Sequence, residues 1–308
     1  LLAACGGGGD QAAPKASISK VYVMGDSIAD VGTFGFKFTV QNAADPKGFP
    51  IWTQLVANSF GVDGSAQCNF FRFTGTTFAP NTTAGCTNYA IGGGRIITPA
   101  ASGGSASPTT VATQLAAKAA AGNYVAGDLV LIDGGGNDAA DLVSAYLGAA
   151  SGAAGVAAYQ AFLAQQLDAA TIGATLTQPN GAALAAGAYM QKLADTFYGQ
   201  IKAQTLDKGA NRVAVLNLPD ITLTPRLQQV LGGVAAASGG GATGKAAATA
   251  LQGAIQQWIQ AFNAKLKANI GTDTRVAQVD FYADLTDQVA NPSSFGLVNA
   301  TATACPIT

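Results

Sequence analysis

Five short apolar runs recur along the chain, each bounded by Gly, Pro or Asp. Continuous apolar stretches of this length are typical of strands that are buried on both faces of a sheet. The pattern therefore predicts a central parallel sheet of about five strands, over 20–25, 87–93, 128–138, 212–219 and 275–282.

Segments with helical periodicity alternate with these runs, and we expect helices over 50–61, 109–122, 183–206 and 246–270. Alternation of strands and helices predicts an α/β fold with helices on both faces of the sheet. Ligands of such folds bind beyond the carboxyl ends of the strands. Ser27, Gly93 and Asn137 each follow one of the first three predicted strands.

Two segments rich in Ala and Gly, 144–182 and 232–245, interrupt this alternation. Their composition predicts that both lie at the surface. The first closely follows the third predicted strand. It is therefore either part of a lid or acyl-binding wall, or a plain surface excursion.

The composition narrows the class of protein. Only 11% of the 308 residues are charged, against a usual share of about 25%, and the formal net charge is −1. A chain with this balance has no basic field to hold nucleic acid or an anionic membrane. No segment reaches the roughly 18 apolar residues of a membrane helix.

The N-terminal residues indicate export. Residues 1–17 are predicted to be a tail, in which Leu2–Cys5 resembles a bacterial lipobox. Cys5 would then be lipidated and attach the protein to the outer membrane, with the following glycines as a flexible tether. The alternatives are an ordinary signal-peptide remnant or a disordered tail. We expect an exported protein, either periplasmic, an outer-membrane lipoprotein or extracellular.

Cys68 and Cys86 bracket a loop rich in Thr, Asn and Gly. Export makes a disulfide between them plausible, and two buried free thiols are the alternative. If Cys5 is lipidated, Cys305 has no partner among the four cysteines. We therefore expect that its partner lies downstream of Thr308.

The first candidate site is the octapeptide G-D-S-I-A-D-V-G at 25–32. Gly25 permits a sharp turn after the strand, and the carboxylates of Asp26 and Asp30 can fix that turn through backbone hydrogen bonds. Ser27 would then expose its hydroxyl as a nucleophile and direct its N–H at a developing oxyanion. The alternative is an ordinary strand-to-helix N-cap.

Two later turns can complete such a site. The segment N-Y-A-I-G-G-G-R at 88–95 has three glycines, whose N–H groups are open to an oxyanion or a phosphate. In 133–142, Asn137 follows three more glycines and can donate from its side-chain amide. The alternatives are a flexible turn for the first segment, and for the second a helix cap that includes Asp138.

Together the three segments resemble the GDSL lipase/esterase family, also called SGNH hydrolases. Residues 25–32 match its block I, Gly93 corresponds to the oxyanion glycine of block II, and 135–138 match block III as G-G-N-D. The segments 49–61, 209–225 and 292–305 also resemble bacterial members, so the resemblance covers about residues 18–308.

The resemblance implies a flavodoxin-like three-layer α/β/α sandwich and a two-step acyl transfer. Ser27 would attack a small-molecule or lipid ester, and its N–H, the Gly93 N–H and the Asn137 side chain would hold the oxyanion. Gly25, Asp26, Asp30 and Asp138 would support these residues. The resemblance implies no metal and no organic cofactor.

One block of the family is missing. Its last block, D-x-x-H, supplies the general base, yet the chain contains no histidine. A serine without a base is a weak nucleophile. We therefore expect a C-terminally incomplete hydrolase domain that is weakly active or inactive as it stands. Asp284 and Asp287 follow the fifth predicted strand, but we assign neither a catalytic role.

Three functions remain open. The first is an exported serine esterase or lipase that acts on short- to medium-chain acyl esters or lipids. The second is a catalytically dead pseudo-hydrolase that binds a surface. The third is the passenger domain of an autotransporter. The sequence predicts neither the individual ester nor the oligomeric state.

Overall fold

The computed structural model describes residues 17–38 and 48–303. Within them the strands are β1 (Lys20–Met24), β2 (Phe71–Phe73), β3 (Phe78–Pro80), β4 (Asp128–Ile132), β5 (Val213–Leu216) and β6 (Val276–Val279). The helices are α1 (Trp52–Ser59), α2 (Val111–Ala120), α3 (Gly136–Gly148), α4 (Ala153–Leu163), α5 (Ala169–Leu176), α6 (Gly181–Gln204), α7 (Pro225–Ala237), α8 (Gly241–Ile270) and α9 (Phe281–Ala290).

A parallel sheet with the strand order β1-β4-β5-β6 forms the centre of the fold. Its register pairs Val21 with Leu129 and Leu131 with Ala214. All of these strands have their carboxyl ends at one edge of the sheet. The predicted α/β class with a central parallel sheet is therefore confirmed, and so are helices at the four positions where periodicity predicted them.

The described sheet has four strands, and the predicted run over 87–93 pairs with β1 through a bridge and does not add a fifth. Asn88 pairs with Val23 at the outer edge of β1, where the Tyr89 N–H donates to the Val23 carbonyl at 2.7 Å. The Asn88 side chain donates to the Ala29 carbonyl at 2.7 Å, while its backbone N–H and carbonyl pair with Cys68 and Phe70. Beyond it, the Ile91 N–H donates to the Gly25 carbonyl at 3.2 Å, but the pairing remains an isolated bridge.

Successive side chains of the central strands point to opposite faces of the sheet, so they pack into two separate cores. Val21, Val23, Leu129 and Leu131 pack in one core with α1. The residues that point the other way pack under α2, α3, α6 and α8: Met24, Val130, Ile132, Val213 and Val215. This alternation places helices on both faces, as in a three-layer α/β/α sandwich.

The α1 side of the sheet is incompletely covered by the described residues. A groove of about 420 Å³ lies between the α1 side chains Trp52 and Phe60 and the strand residues Ala214 and Ala277. Val279 at the end of β6 lines the same groove and is 43% exposed. Most of the buried apolar surface therefore lies on the opposite face, where α6 and α8 pack together.

The segments rich in Ala and Gly are helical. Residues 144–182 contain the end of α3, then α4 and α5, with Tyr159, Leu163 and Ile172 buried. The Tyr159 hydroxyl donates to the Ala182 carbonyl at 2.7 Å, which attaches α4 to the start of α6. Residues 232–245 contain the end of α7, the turn over 238–240 and the start of α8. Small side chains let these helices approach one another closely.

The disulfide between Cys68 and Cys86 is present, as predicted. It closes the segment that contains the antiparallel hairpin of β2 and β3. Cys5 and the rest of 1–16, together with Cys305, lie outside the described residues. Among the helices that the structure describes, none combines the length and the apolar character needed to cross a bilayer.

Replacing both Cys68 and Cys86 with Ser should lower the free energy of unfolding by about 3 kcal/mol, because the disulfide closes a loop and so reduces the conformational entropy of the unfolded chain. Urea unfolding with and without a thiol reductant measures the change. The parent protein should respond to the reductant and the double variant should not. Equal stability of the two oxidised proteins would contradict this account.

Candidate active site

The turn after β1 is held by α2. The Gln114 side chain accepts the Gly25 N–H at 2.8 Å and donates to the Gly25 carbonyl at 3.0 Å, and it is fully buried. Both polar groups of the Gly25 backbone are thus satisfied where the strand ends. Sequence analysis missed Gln114. The only signal was a polar residue on the apolar face of a predicted helix.

The carboxyl group of Asp133, at the end of β4, lies against Gly25. A Cβ at position 25 would come within 2.4 Å of this carboxyl group, so only glycine fits. The Asp26 N–H donates to Asp133 Oδ1 at 2.9 Å, and Asp26 Oδ1 in turn accepts the Ile28 N–H at 3.1 Å. These contacts fix the backbone on either side of Ser27. Asp133 too was missed by sequence analysis.

Asp30 connects this turn to the glycine-rich turn at 92–94. Its fully buried carboxylate accepts N–H groups of Gly32 at 2.8 Å, Thr33 at 2.7 Å and Gly92 at 2.8 Å. The two turns are in direct contact, since a Cβ on Gly94 would come within 2.6 Å of the Gly25 carbonyl oxygen. The Asp30 carboxylate therefore holds the two turns together.

Helix α3 brings Asn137 to the same place. Asn137 Nδ2 donates to the Gly94 carbonyl at 2.9 Å and lies 3.4 Å from Asp26 Oδ2. The next residue, Asp138, accepts the N–H groups of Ile96 at 3.0 Å and Ile97 at 2.9 Å. Burial raises the pKa of the Asp138 carboxyl to about 7, although these two hydrogen bonds oppose the shift.

Arg95 stabilises the glycine-rich turn from outside. Its guanidinium group binds both carboxylate oxygens of Asp141, at 2.6 and 3.1 Å, and donates to the Gly93 carbonyl at 2.7 Å. With its carbonyl held in this way and its φ at +79°, Gly93 has a fixed orientation that other residues rarely adopt.

Two backbone donors of this region are unpaired. Among residues 17–38 and 48–303, the N–H groups of Ser27 and Gly93 find no acceptor. The Ser27 hydroxyl also makes no hydrogen bond to any residue that the structure describes, and Ser27 is half-buried. Such donors are available to a bound oxygen atom.

Ser27 and Asn137 line a pocket of about 360 Å³ at the carboxyl edge of the sheet. Gly93, Asp284, Asp287 and the whole of 144–182 are outside its lining. Most of the lining is apolar: Ile28, Ala140, Leu216, Leu218, Pro219, Ile221, Leu227, Phe281 and Leu285. The α9 side of this pocket was not predicted, because residues 275–282 were assigned to a strand and α9 begins at Phe281.

The pocket contains two carboxyl groups and no group typical of a general base for serine. Asp26 and Asp133 line it, but both are buried beneath the turn. The chain has no histidine. Within the described residues, no group of three or more Cys, Asp or Glu side chains could hold a metal ion.

Comparison with known proteins agrees with this geometry. The profile of the family described as GDSL-like Lipase/Acylhydrolase matches residues 21–305, which include every residue of the site. No curated protein matches the chain.

Replacing Asp30 with Asn should lower the free energy of unfolding by about 1–3 kcal/mol, because the amide group would set its N–H₂ against one of the three N–H donors and leave it unsatisfied. Urea unfolding measures the loss. Asp284→Asn, on the exposed side of α9, is the matched control and should change stability little. Equal effects of the two variants would mean that Asp30 does not hold the turns together.

Proposed function

The chain belongs to the GDSL-like lipase/acylhydrolase family, and we propose that it is a serine hydrolase that cleaves carboxylic esters through an acyl-enzyme on Ser27. The family supports ester hydrolysis in general. The observation that carries the finer proposal is the position of Ser27. Its hydroxyl makes no hydrogen bond to a described residue and lines a mostly apolar pocket together with Asn137, and the Ser27 N–H is unpaired among the described residues.

In the first step, Ser27 Oγ attacks the ester carbonyl carbon, and the carbonyl oxygen becomes an oxyanion. The Ser27 N–H and the Gly93 N–H are available to it. Asn137 can join them if its amide exchanges the long 3.4 Å contact with Asp26 Oδ2 for the oxyanion, because its other amide hydrogen is held by the Gly94 carbonyl. Loss of one such donor typically lowers the rate about 100- to 1000-fold. The intermediate then expels the alcohol, and water hydrolyses the acyl-enzyme.

The contacts of the turn explain why these donors need little rearrangement. Gln114, Asp133 and Asp30 fix the backbone around Ser27 and Gly93 through buried hydrogen bonds. Donors that are oriented before the substrate arrives cost no reorganisation during the reaction. We propose that this is the role of Gly25, Asp26 and Asp30, and that Asp138 does the same for Asn137.

The size and lining of the pocket favour an acyl substrate. A pocket of about 360 Å³ is at the small end of the usual range for small-molecule sites, which is about 300–1000 Å³. Its apolar walls can bury a short- to medium-chain acyl group, whereas the hydroxyls of a sugar would lose hydrogen bonds there. We propose short- to medium-chain acyl esters or lipids as the substrate class.

The disulfide supports an oxidising location, so we propose a periplasmic or extracellular protein. Lipidation of Cys5 and attachment to the outer membrane remain part of this proposal.

A second candidate function is a pseudo-hydrolase that binds a surface without catalysis. The absence of histidine from the chain favours it.

The 308-residue chain should hydrolyse p-nitrophenyl esters only weakly, and added imidazole should increase the rate by supplying the missing base. Ser27→Ala should abolish both the basal and the imidazole-dependent enzymatic rate. It also corrects for hydrolysis by imidazole alone. High activity without imidazole would contradict the account of the base. No rescue at any imidazole concentration would favour the pseudo-hydrolase.

Replacing Ala140 with Phe should fill part of the pocket and shift the preferred p-nitrophenyl ester to a shorter acyl chain, because Ala140 lines the pocket from α3. The kcat/KM values for a series of acyl lengths, measured with imidazole, test this. Ala158→Phe, on the exposed side of α4, is the matched control and should leave the series unchanged. An unchanged series in Ala140→Phe would place the acyl group elsewhere.

A further inference from the structure

Two acidic side chains are buried together beneath the turn that carries Ser27. Asp26 is 7% exposed and Asp133 is 2% exposed. They follow the neighbouring parallel strands β1 and β4, and the Asp26 N–H donates to Asp133 Oδ1 at 2.9 Å, which brings the two side chains together. Ordinary carboxylates repel one another at such a distance, so their protonation must differ from that of exposed acids.

The four carboxyl oxygens of Asp26 and Asp133 do not all have a hydrogen-bond donor. Asp26 Oδ1 accepts the Ile28 N–H, and Asp26 Oδ2 faces Asn137 Nδ2. Asp133 Oδ1 accepts the Asp26 N–H, but Asp133 Oδ2 is buried and receives no hydrogen bond from any described residue. An oxygen in that position is satisfied if it carries a proton and donates it.

Cations offset the charge of this pair only in part: Arg95 favours the charged form of Asp26, and Arg226 lines the same pocket. Arg95, the charged group that faces Asp26 from the glycine-rich turn, is bound to both oxygens of Asp141. Asp138 on α3 is itself acidic, and α2 contributes the neutral Gln114. Burial raises the pKa of Asp26 and raises that of Asp133 well above its ordinary value, the charge of Asp26 adding to the effect on Asp133.

We propose that Asp133 keeps a proton on Oδ2 at neutral pH and donates it to Asp26, so that the two side chains share one negative charge and act as positioning residues for Ser27 and Asn137. The proton stays within the pair, and no bond to substrate is formed. The shared proton does not depend on ester hydrolysis. Only the role of the positioned turn in catalysis by Ser27 rests on the proposed function.

Asp133→Asn is the sharpest test of this proposal. The Asn oxygen can still accept the Asp26 N–H, and its amide can donate to Asp26 in place of the carboxyl proton. Asp133→Leu has a similar size but can do neither. The proposal therefore expects that Asn preserves the turn and that Leu disrupts it.

Infrared spectroscopy at neutral pH should show the carbonyl stretch of a protonated carboxyl group in the parent protein, with a shift in D₂O. The spectrum of Asp133→Asn should lack this band, so the band should appear in the parent-minus-variant difference spectrum. Asp30→Asn and Asp138→Asn identify any contribution from the other two buried acids. If the parent protein has no such band, or if the band is unchanged in Asp133→Asn, the proposal is overturned.

Stability against pH provides a second readout. Asp133 binds a proton in the folded state but not in the unfolded state above its ordinary pKa. It therefore makes stability fall as pH rises above the ordinary pKa of an Asp carboxyl, until the pH reaches the raised pKa of Asp133 in the folded state. Asp133→Asn should lack that fall. The contributions of Arg95, Asp30 and Asp138 to the pH dependence are present in both proteins and cancel in the comparison. Equal slopes in both proteins would overturn the proposal.

Hydrogen exchange of the Asp26 amide tests positioning directly. Protection should persist in Asp133→Asn and fall about tenfold or more in Asp133→Leu, because only the Asn variant keeps an acceptor. Equal loss in both variants would mean that the pair does not position the turn. If the spectroscopic and exchange results hold but imidazole restores no esterase activity, the proposed function alone fails.

Discussion

The backbone of Gly25 and Asp26 is hydrogen-bonded by buried side chains from two neighbouring elements, Gln114 on α2 and Asp133 after β4. A turn at a sheet edge exposes polar backbone groups that the sheet no longer satisfies. Inside an apolar core, each unpaired group costs about 1–3 kcal/mol. These contacts let Ser27 follow a buried strand without that cost.

The same solution recurs around the site. Asp30 receives three N–H groups from two turns, Asp138 receives two from the chain after Gly94, and Asn137 donates to the Gly94 carbonyl. Each buried side chain thus connects two separate stretches of backbone. These hydrogen bonds join the three turns of the site to one another.

Much of the fold could be predicted from the sequence. The apolar runs of β1, β4, β5 and β6 and the periodicity of α1, α2, α6 and α8 are local patterns, because burial on both faces of a strand or on one stripe of a helix is visible in consecutive residues. For the same reason, a strand was predicted where the structure has only a bridge. The apolar run at 87–93 has strand character, but Asn88 bonds to Ala29, far away in sequence.

The sequence by itself determined the order of the three segments, the glycine positions and the identity of Ser27 and Asn137, since strand-to-turn motifs are local. Only the tertiary structure decided what surrounds them. Gln114 and Asp133 look like ordinary residues of a helix and a strand end, and their partners are 89 and 107 positions away. Their role arises because parallel strands and covering helices bring distant residues to one edge of the sheet, where buried polar groups must find partners.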